Sequence, residues 1–183
     1  MEKKLTAPIS KDVAKSLKTG DSVLISGVIY TARDAAHERM TRLKSEGVDY
    51  PIDLTDQVIY YAGPCPAKPG EVIGSCGPTT AGRMDAYTPE LLDAGLGAMI
   101  GKGVRSKEVV DAIKRNKCVY FGAIGGAGAL IAECIKKAEV VAYDDLGTEA
   151  IRRLEIEDIP AVVLMDSEGN DLYEAGQSQY REL

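Results

Sequence analysis

The feature that most constrains what this chain can fold into is an alternation in its second half. Thr88 and Pro89 open a helical segment over residues 88–95, and residues 97–101 form a short apolar run. The pattern then repeats as helix 106–116, strand 117–124, helix 127–137 and strand 138–143. An antiparallel pair needs only a tight turn between its strands, whereas helix-length spacers imply parallel strands joined by crossover helices. Upstream, Ser10 caps a short helix carrying Val13 and Leu17 on one face, and Gly20 stops it. Residues 22–31 are dense in β-branched side chains and read as a strand, residues 34–45 as a helix ending before Gly47, and residues 57–62 as another strand. Near the C-terminus, residues 159–165 and 171–174 read as strands flanking a hairpin-like turn at 166–170. These elements predict an α/β fold with a mixed sheet and crossover helices. No repeat or linker divides the chain, so a single domain over residues 1–183 is expected.

A chain of 183 residues can bury roughly 70% of its unfolded surface and needs no covalent staples. With 22 basic against 28 acidic residues the net charge is −6, which removes any general attraction for nucleic acid or an anionic membrane. An anionic ligand must therefore meet a local basic cluster. No apolar run approaches the roughly 20 residues that span a bilayer, and the N-terminus lacks the apolar stretch of a signal peptide, so a soluble, cytoplasmic protein is expected. Cys65, Cys76, Cys118 and Cys134 lie far apart, with no C-x-x-C pair and only His37 to complete a zinc site, so no metal ligand set is expected from this chain. Cys118 and Cys134 read as buried small hydrophobes; Cys65 and Cys76 sit in Gly/Pro loops.

Four constellations carry candidate chemistry. Residues 122–128, Gly-Ala-Ile-Gly-Gly-Ala-Gly, follow a predicted strand and precede a helix, with Asp144 and Asp145 ending the next strand. That context resembles a dinucleotide-binding βαβ unit, although Ile131 stands where the third glycine of G-x-G-x-x-G belongs. The alternatives are glycines that permit close packing, or a carboxylate or partner contact at a helix start. Residues 77–83, Gly-Pro-Thr-Thr-Ala-Gly-Arg, combine the hydroxyls of Thr79 and Thr80 with the Arg83 guanidinium, whose fork suits a carboxylate. Residues 31–37, Thr-Ala-Arg-Asp-Ala-Ala-His, place Arg33 and His37 one helical turn apart at a strand–helix junction. Lys102 lies between Gly101 and Gly103 at another strand end.

Gly-Val-Ile-Tyr-Thr-Ala-Arg-Asp-Ala-Ala-His, Tyr-Tyr-Ala-Gly-Pro, Gly-Ser-Cys-Gly-Pro-Thr-Thr-Ala-Gly-Arg-Met-Asp and Met-Ile-Gly-Lys-Gly resemble the C-terminal part of class I fumarases and the β-subunit of tartrate dehydratase. With Leu-Thr-Ala-Pro-Ile-Ser, Gly-Gly-Ala-Gly and Pro-Ala-Val-Val-Leu-Met-Asp, the resemblance covers nearly the whole chain. It implies a swivelling β/β/α domain and a composite active site shared with an α part that holds a [4Fe–4S] cluster through three cysteines. The α part would be a separate subunit, giving a hetero-oligomer in which this chain is active only with its partner.

Carried over by position, the resemblance makes Arg33 and Arg83 the dicarboxylate clamps, Lys102 a substrate-facing cation and Thr79 the proton-abstracting group. Thr80 stands beside Thr79 as an alternative. His37 belongs to the pattern with two open roles, acid–base help or orientation of Arg33. The implied reaction is reversible hydration of fumarate to malate, with tartrate dehydration as the alternative. A Rossmann-like NAD-dependent enzyme and a non-catalytic regulatory subunit are the readings from other classes.

Overall fold

The computed structural model describes residues 2–124 and 126–180. The chain runs through β1 (Lys3–Ala7), α1 (Lys11–Ser16), β2 (Ser22–Thr31), α2 (Asp34–Ser45), β3 (Val58–Tyr60), α3 (Thr88–Asp93), β4 (Ala98–Gly101), α4 (Lys107–Asn116), β5 (Val119–Gly122), α5 (Gly128–Glu133), β6 (Ile135–Ala142), β7 (Ile151–Met165) and α6 (Leu172–Tyr180). Short 3-10 turns at Ala81–Met84 and Asp144–Glu149 precede α3 and β7.

The sheet is mixed, in the order β1-β2-β3-β4-β5-β7-β6, and β2 also pairs with β7. Strands β2, β3, β4 and β5 are parallel neighbours, and for β4 and β5 this follows the alternation. β7 runs antiparallel to both β5 and β2, so these five strands close a hydrogen-bonded ring, with β1 and β6 as outer additions. Alternate residues of each strand point to opposite faces. Val23, Ile25, Val58, Ile100, Phe121, Leu154 and Val163 belong to one buried cluster, and Ile59, Met99 and Tyr120 to a second, with Met40 of α2, Leu91 of α3 and Ile113 of α4. α4 is capped by Ser106, whose Oγ accepts from the Val109 N–H, and it ends in the left-handed backbone of Lys117.

The structure departs from expectation mainly in the C-terminal third. Residues 151–158 extend β7 well beyond the predicted strand 159–165. Their Ile-Arg-Arg-Leu-Glu-Ile-Glu-Asp string carries many charges, and a half-solvated antiparallel strand accommodates them on its outer face. The predicted helix 127–137 contracts to α5, and the following strand begins at Ile135 and runs antiparallel to β7 instead of parallel to β5. Residues 171–174 are not a strand: Asp171 forms one bridge to Met165, and α6 begins at Leu172. β1 was not predicted at all; its charged, partly exposed sequence becomes a strand only through its ladder with β2.

Candidate active site

Parallel strands deliver their loops to one edge, and the crevice outside their carboxyl ends is where open α/β sheets place ligands. β2 ends at Thr31 and delivers Arg33 and Asp34; β4 ends at Gly101 and delivers Lys102. The long loop after β3 returns to this edge and is tied into it. The Thr79 N–H donates to the Tyr61 carbonyl at 2.7 Å, Thr80 forms a parallel bridge with Lys102, and the Ala81 N–H donates to the Lys102 carbonyl at 2.8 Å. The turn Ala81–Met84 then carries Arg83. The structure thus gathers Arg33, Thr79, Thr80, Arg83 and Lys102 around one strand edge.

Two carboxylates join this group that sequence reasoning did not assign. Asp34 lies between the arginines: Arg33 Nε donates to its Oδ2 at 3.1 Å, and Arg83 Nε pairs with its Oδ1 at 2.7 Å. Burial raises the Asp34 carboxyl, but its own backbone N–H, the Arg33 hydrogen bond and the Arg83 charge more than offset this and hold it below the usual range. Glu149 accepts the Ala35 N–H at 2.8 Å near the start of α2, and its other oxygen pairs with Arg33 Nη2 at 3.2 Å. Gly63 lets Arg33 lie close to the backbone: a Cβ there would sit 3.0 Å from Nη1 and 3.1 Å from Cδ. Arg33 and Arg83 pair with these two carboxylates, and Lys102 adds a third cation to the same strand edge.

His37 is placed beneath this group. It is fully buried, and its Nδ1 lies 2.9 Å from the Arg33 carbonyl, which can only accept, so Nδ1 carries the proton. Nε2 is buried without a hydrogen-bond partner, and the ring meets Tyr61 edge-on at 5.4 Å. Burial, with a smaller contribution from the charge of Arg105, pushes the imidazole down to about 4. Direct acid–base contact with a ligand does not fit this placement; holding the Arg33 backbone does.

Arg105, also unassigned from sequence, is a buried cation behind the loop. Its Nε donates to Asp85 at 2.7 Å, Nη2 donates to Thr88 Oγ1 at 2.9 Å, and the guanidinium stacks on Tyr61 and Tyr120. Asp85 also accepts the Ser106 N–H. The end of the Arg83 turn is thereby pinned to the start of α4. The Gly-Lys-Gly-x-Arg string was a signal for Arg105, but nothing local distinguishes a buried arginine from a solvated one.

Cys76 and Cys118 do not fit an iron–sulfur cluster, whose ligands are thiolates. Burial pushes the Cys76 and Cys118 thiols up to about 12, and Cys118 Sγ donates to the Leu96 carbonyl. Among the described residues no three His, Cys, Asp or Glu side chains gather to hold a metal. The dinucleotide reading of residues 122–128 also loses its context, because β6 does not continue the parallel sheet. Gly128 instead permits close packing. Its carbonyl accepts the Cys76 N–H, and a Cβ would meet Ser75 Oγ at 2.5 Å and the Gly77 nitrogen at 2.9 Å.

The pattern of the family described as fumarase C-terminus matches residues 2–176. The chain belongs to this family. Among relatives, the aerobic class I fumarate hydratase of Salmonella typhimurium is 45% identical over 157 residues, covering 84% of this chain and 27% of that protein. The anaerobic class I fumarate hydratase of Escherichia coli is 45% identical over 153 residues, covering 82% of this chain and 28% of its own length. A Methanocaldococcus jannaschii protein named as an L(+)-tartrate dehydratase subunit beta is 39% identical over 172 residues, covering 91% of this chain and 88% of that protein. The fumarase C-terminus chain therefore spans little more than a quarter of the fumarate hydratases it matches and most of the tartrate dehydratase subunit. The names of these relatives are those of hydro-lyases. No helix among the described residues is long and apolar enough to cross a membrane.

Proposed function

We propose that this chain is the β-subunit of a hydro-lyase that reversibly hydrates fumarate to malate. It acts in the cytoplasm as one swivelling β/β/α domain over residues 1–183, within a hetero-oligomer. The observation that carries the proposal is the cation group at the carboxyl ends of β2 and β4. Arg33 and Arg83, joined through Asp34, share one strand edge with Lys102, Thr79 and Thr80, in a chain of the fumarase C-terminus family. A four-carbon dicarboxylate presents two anionic ends, and guanidinium groups hold such ends in a defined orientation. In this reading the [4Fe–4S] group is held by the α-subunit, and this chain supplies the clamp.

Proton removal from the carbon beside a substrate carboxylate falls to Thr79. A threonine hydroxyl is a weak base, and it serves only where cations stabilise its alkoxide. Arg83, four residues further along the same loop, and Lys102, bridged through its backbone to the adjacent Thr80, supply that field. Thr80 is the alternative proton acceptor. His37 orients Arg33 through its carbonyl.

A second reading, β-subunit of an L-tartrate dehydratase, is favoured by the 88% coverage of the relative named as such. The same clamp would serve both substrates. The deciding assay is anaerobic: the chain alone, then the chain with its α-subunit and a verified cluster, given fumarate, malate or tartrate. Turnover of fumarate only in the mixture is expected, and turnover of tartrate alone selects the second reading. Activity of the isolated chain, or none from the verified complex on any of the three, overturns the proposal.

A further inference from the structure

Among the described residues Asp34 is the one carboxylate that touches both arginines of the clamp. It sits in the first turn of α2, where its own backbone N–H steadies the carboxylate, and its two oxygens face different elements. Oδ2 accepts from Nε of Arg33 at the β2–α2 junction, and Oδ1 pairs with Nε of Arg83 on the turn Ala81–Met84. The closest approach of each arginine to Asp34 is through Nε. Arg83 is otherwise weakly held: its side chain is 52% exposed, against 23% for Arg33. Without Asp34, a long exposed arginine on a loop would sample many rotamers.

We propose that Asp34 is a positioning and specificity-determining residue: by holding both Nε atoms on one carboxylate it sets the spacing of the two guanidinium groups, and so selects dicarboxylates of one chain length. The inference rests on the dicarboxylate reading of this site. Asp34 is not placed to take part in bond making; it acts through the arginines.

A simpler role would be competition, with Asp34 merely occupying the arginines until a substrate arrives. The two roles differ in outcome. If Asp34 only competes, removing its charge raises the affinity for every carboxylate and leaves the preference among them intact. If it sets the spacing, removing it erases the preference whatever happens to affinity, because Arg83, no longer tied to the Arg33 that Glu149 still holds, accepts any span.

The test uses the complex with the α-subunit and the unreactive probes acetate, malonate, succinate and glutarate, with dissociation constants measured by calorimetry. Wild type is expected to prefer one dicarboxylate by about tenfold over its one-carbon neighbours, and Asp34→Asn to reduce that ratio to within about twofold. Asp34→Glu, which keeps the charge on a longer stem, is expected to shift the preferred length, and it covers the case in which the Asn variant fails to fold. An unchanged ratio in the folded variants, or no length preference in wild type, overturns the inference while leaving the proposed function standing. Failure of wild type to bind any dicarboxylate overturns the proposed function and this inference with it.

Discussion

Arg33 and Arg83 differ in what they have left to offer a ligand. Arg33 spends Nε on Asp34 and Nη2 on Glu149, with Nη1 against Gly63. Arg83 spends only Nε among the described contacts, which keeps its terminal fork for a bidentate carboxylate. Replacing either by alanine is expected to lower kcat/KM for a dicarboxylate by about 1.5–3 kcal/mol, with Arg83→Ala the larger loss. Equal losses in steady-state assays of the complex would contradict this asymmetry. Thr79→Ala should instead lower kcat by about 100-fold or more with little change in KM, as expected when a group used only in proton transfer is removed. A Thr79→Ala enzyme with normal kcat transfers the role to Thr80 or elsewhere. The positions of Arg33, Thr79, Arg83 and Lys102 were legible because each lies in a short distinctive string. Glu149 was not, since its partner at residue 33 is over a hundred positions away and nothing local marks the pairing.

At the scale of elements, the returning part of the loop between β3 and α3 is held at two points. Thr79 donates to the carbonyl of Tyr61, the residue after β3, and Asp85 pairs with Arg105 just before α4. The Arg105 side chain is fully buried and that of Asp85 nearly so. Removing one partner of a buried pair leaves an uncompensated charge, so Asp85→Ala is expected to cost about 3–5 kcal/mol in urea unfolding. A loss below about 1 kcal/mol would mean that Thr88 and the two tyrosine rings suffice for the guanidinium. Helix boundaries such as Asp34–Ser45 and Lys107–Asn116 were readable from caps and periodicity, because a helix closes its hydrogen bonds within itself. Residues 135–142 were not, because a strand's identity depends on which neighbour accepts its ladder.

For the molecule as a whole, the single histidine makes stability depend on pH in a window of its own. The folded His37 is pushed down to about 4 from an unfolded value of 6.5, so the unfolded chain takes up the proton first as pH falls. Stability contributed by the neutral ring is fully present above 6.5 and is lost as pH falls from there toward 4. Between about pH 7.5 and about pH 5.5 the loss should be a little over about 1 kcal/mol, before most carboxylates titrate. Denaturant melts at the two pH values should show it in wild type and not in His37→Leu. A flat profile in wild type would mean that the ring finds a proton acceptor for Nε2 when charged.

The local code of this chain determined helices α1 to α4, the parallel pairing of β4 with β5 and the strings that bear Arg33, Thr79, Arg83 and Lys102. Caps, turn residues and side-chain periodicity act over a few residues and are complete in the sequence. Tertiary structure alone decided that β7 runs 15 residues and closes the ring against β2, that β6 turns antiparallel, and that Asp34 and Glu149 hold the arginines. Those outcomes depend on hydrogen-bond ladders and ion pairs between segments far apart in the chain. Their partners exist only once burial has brought the segments together.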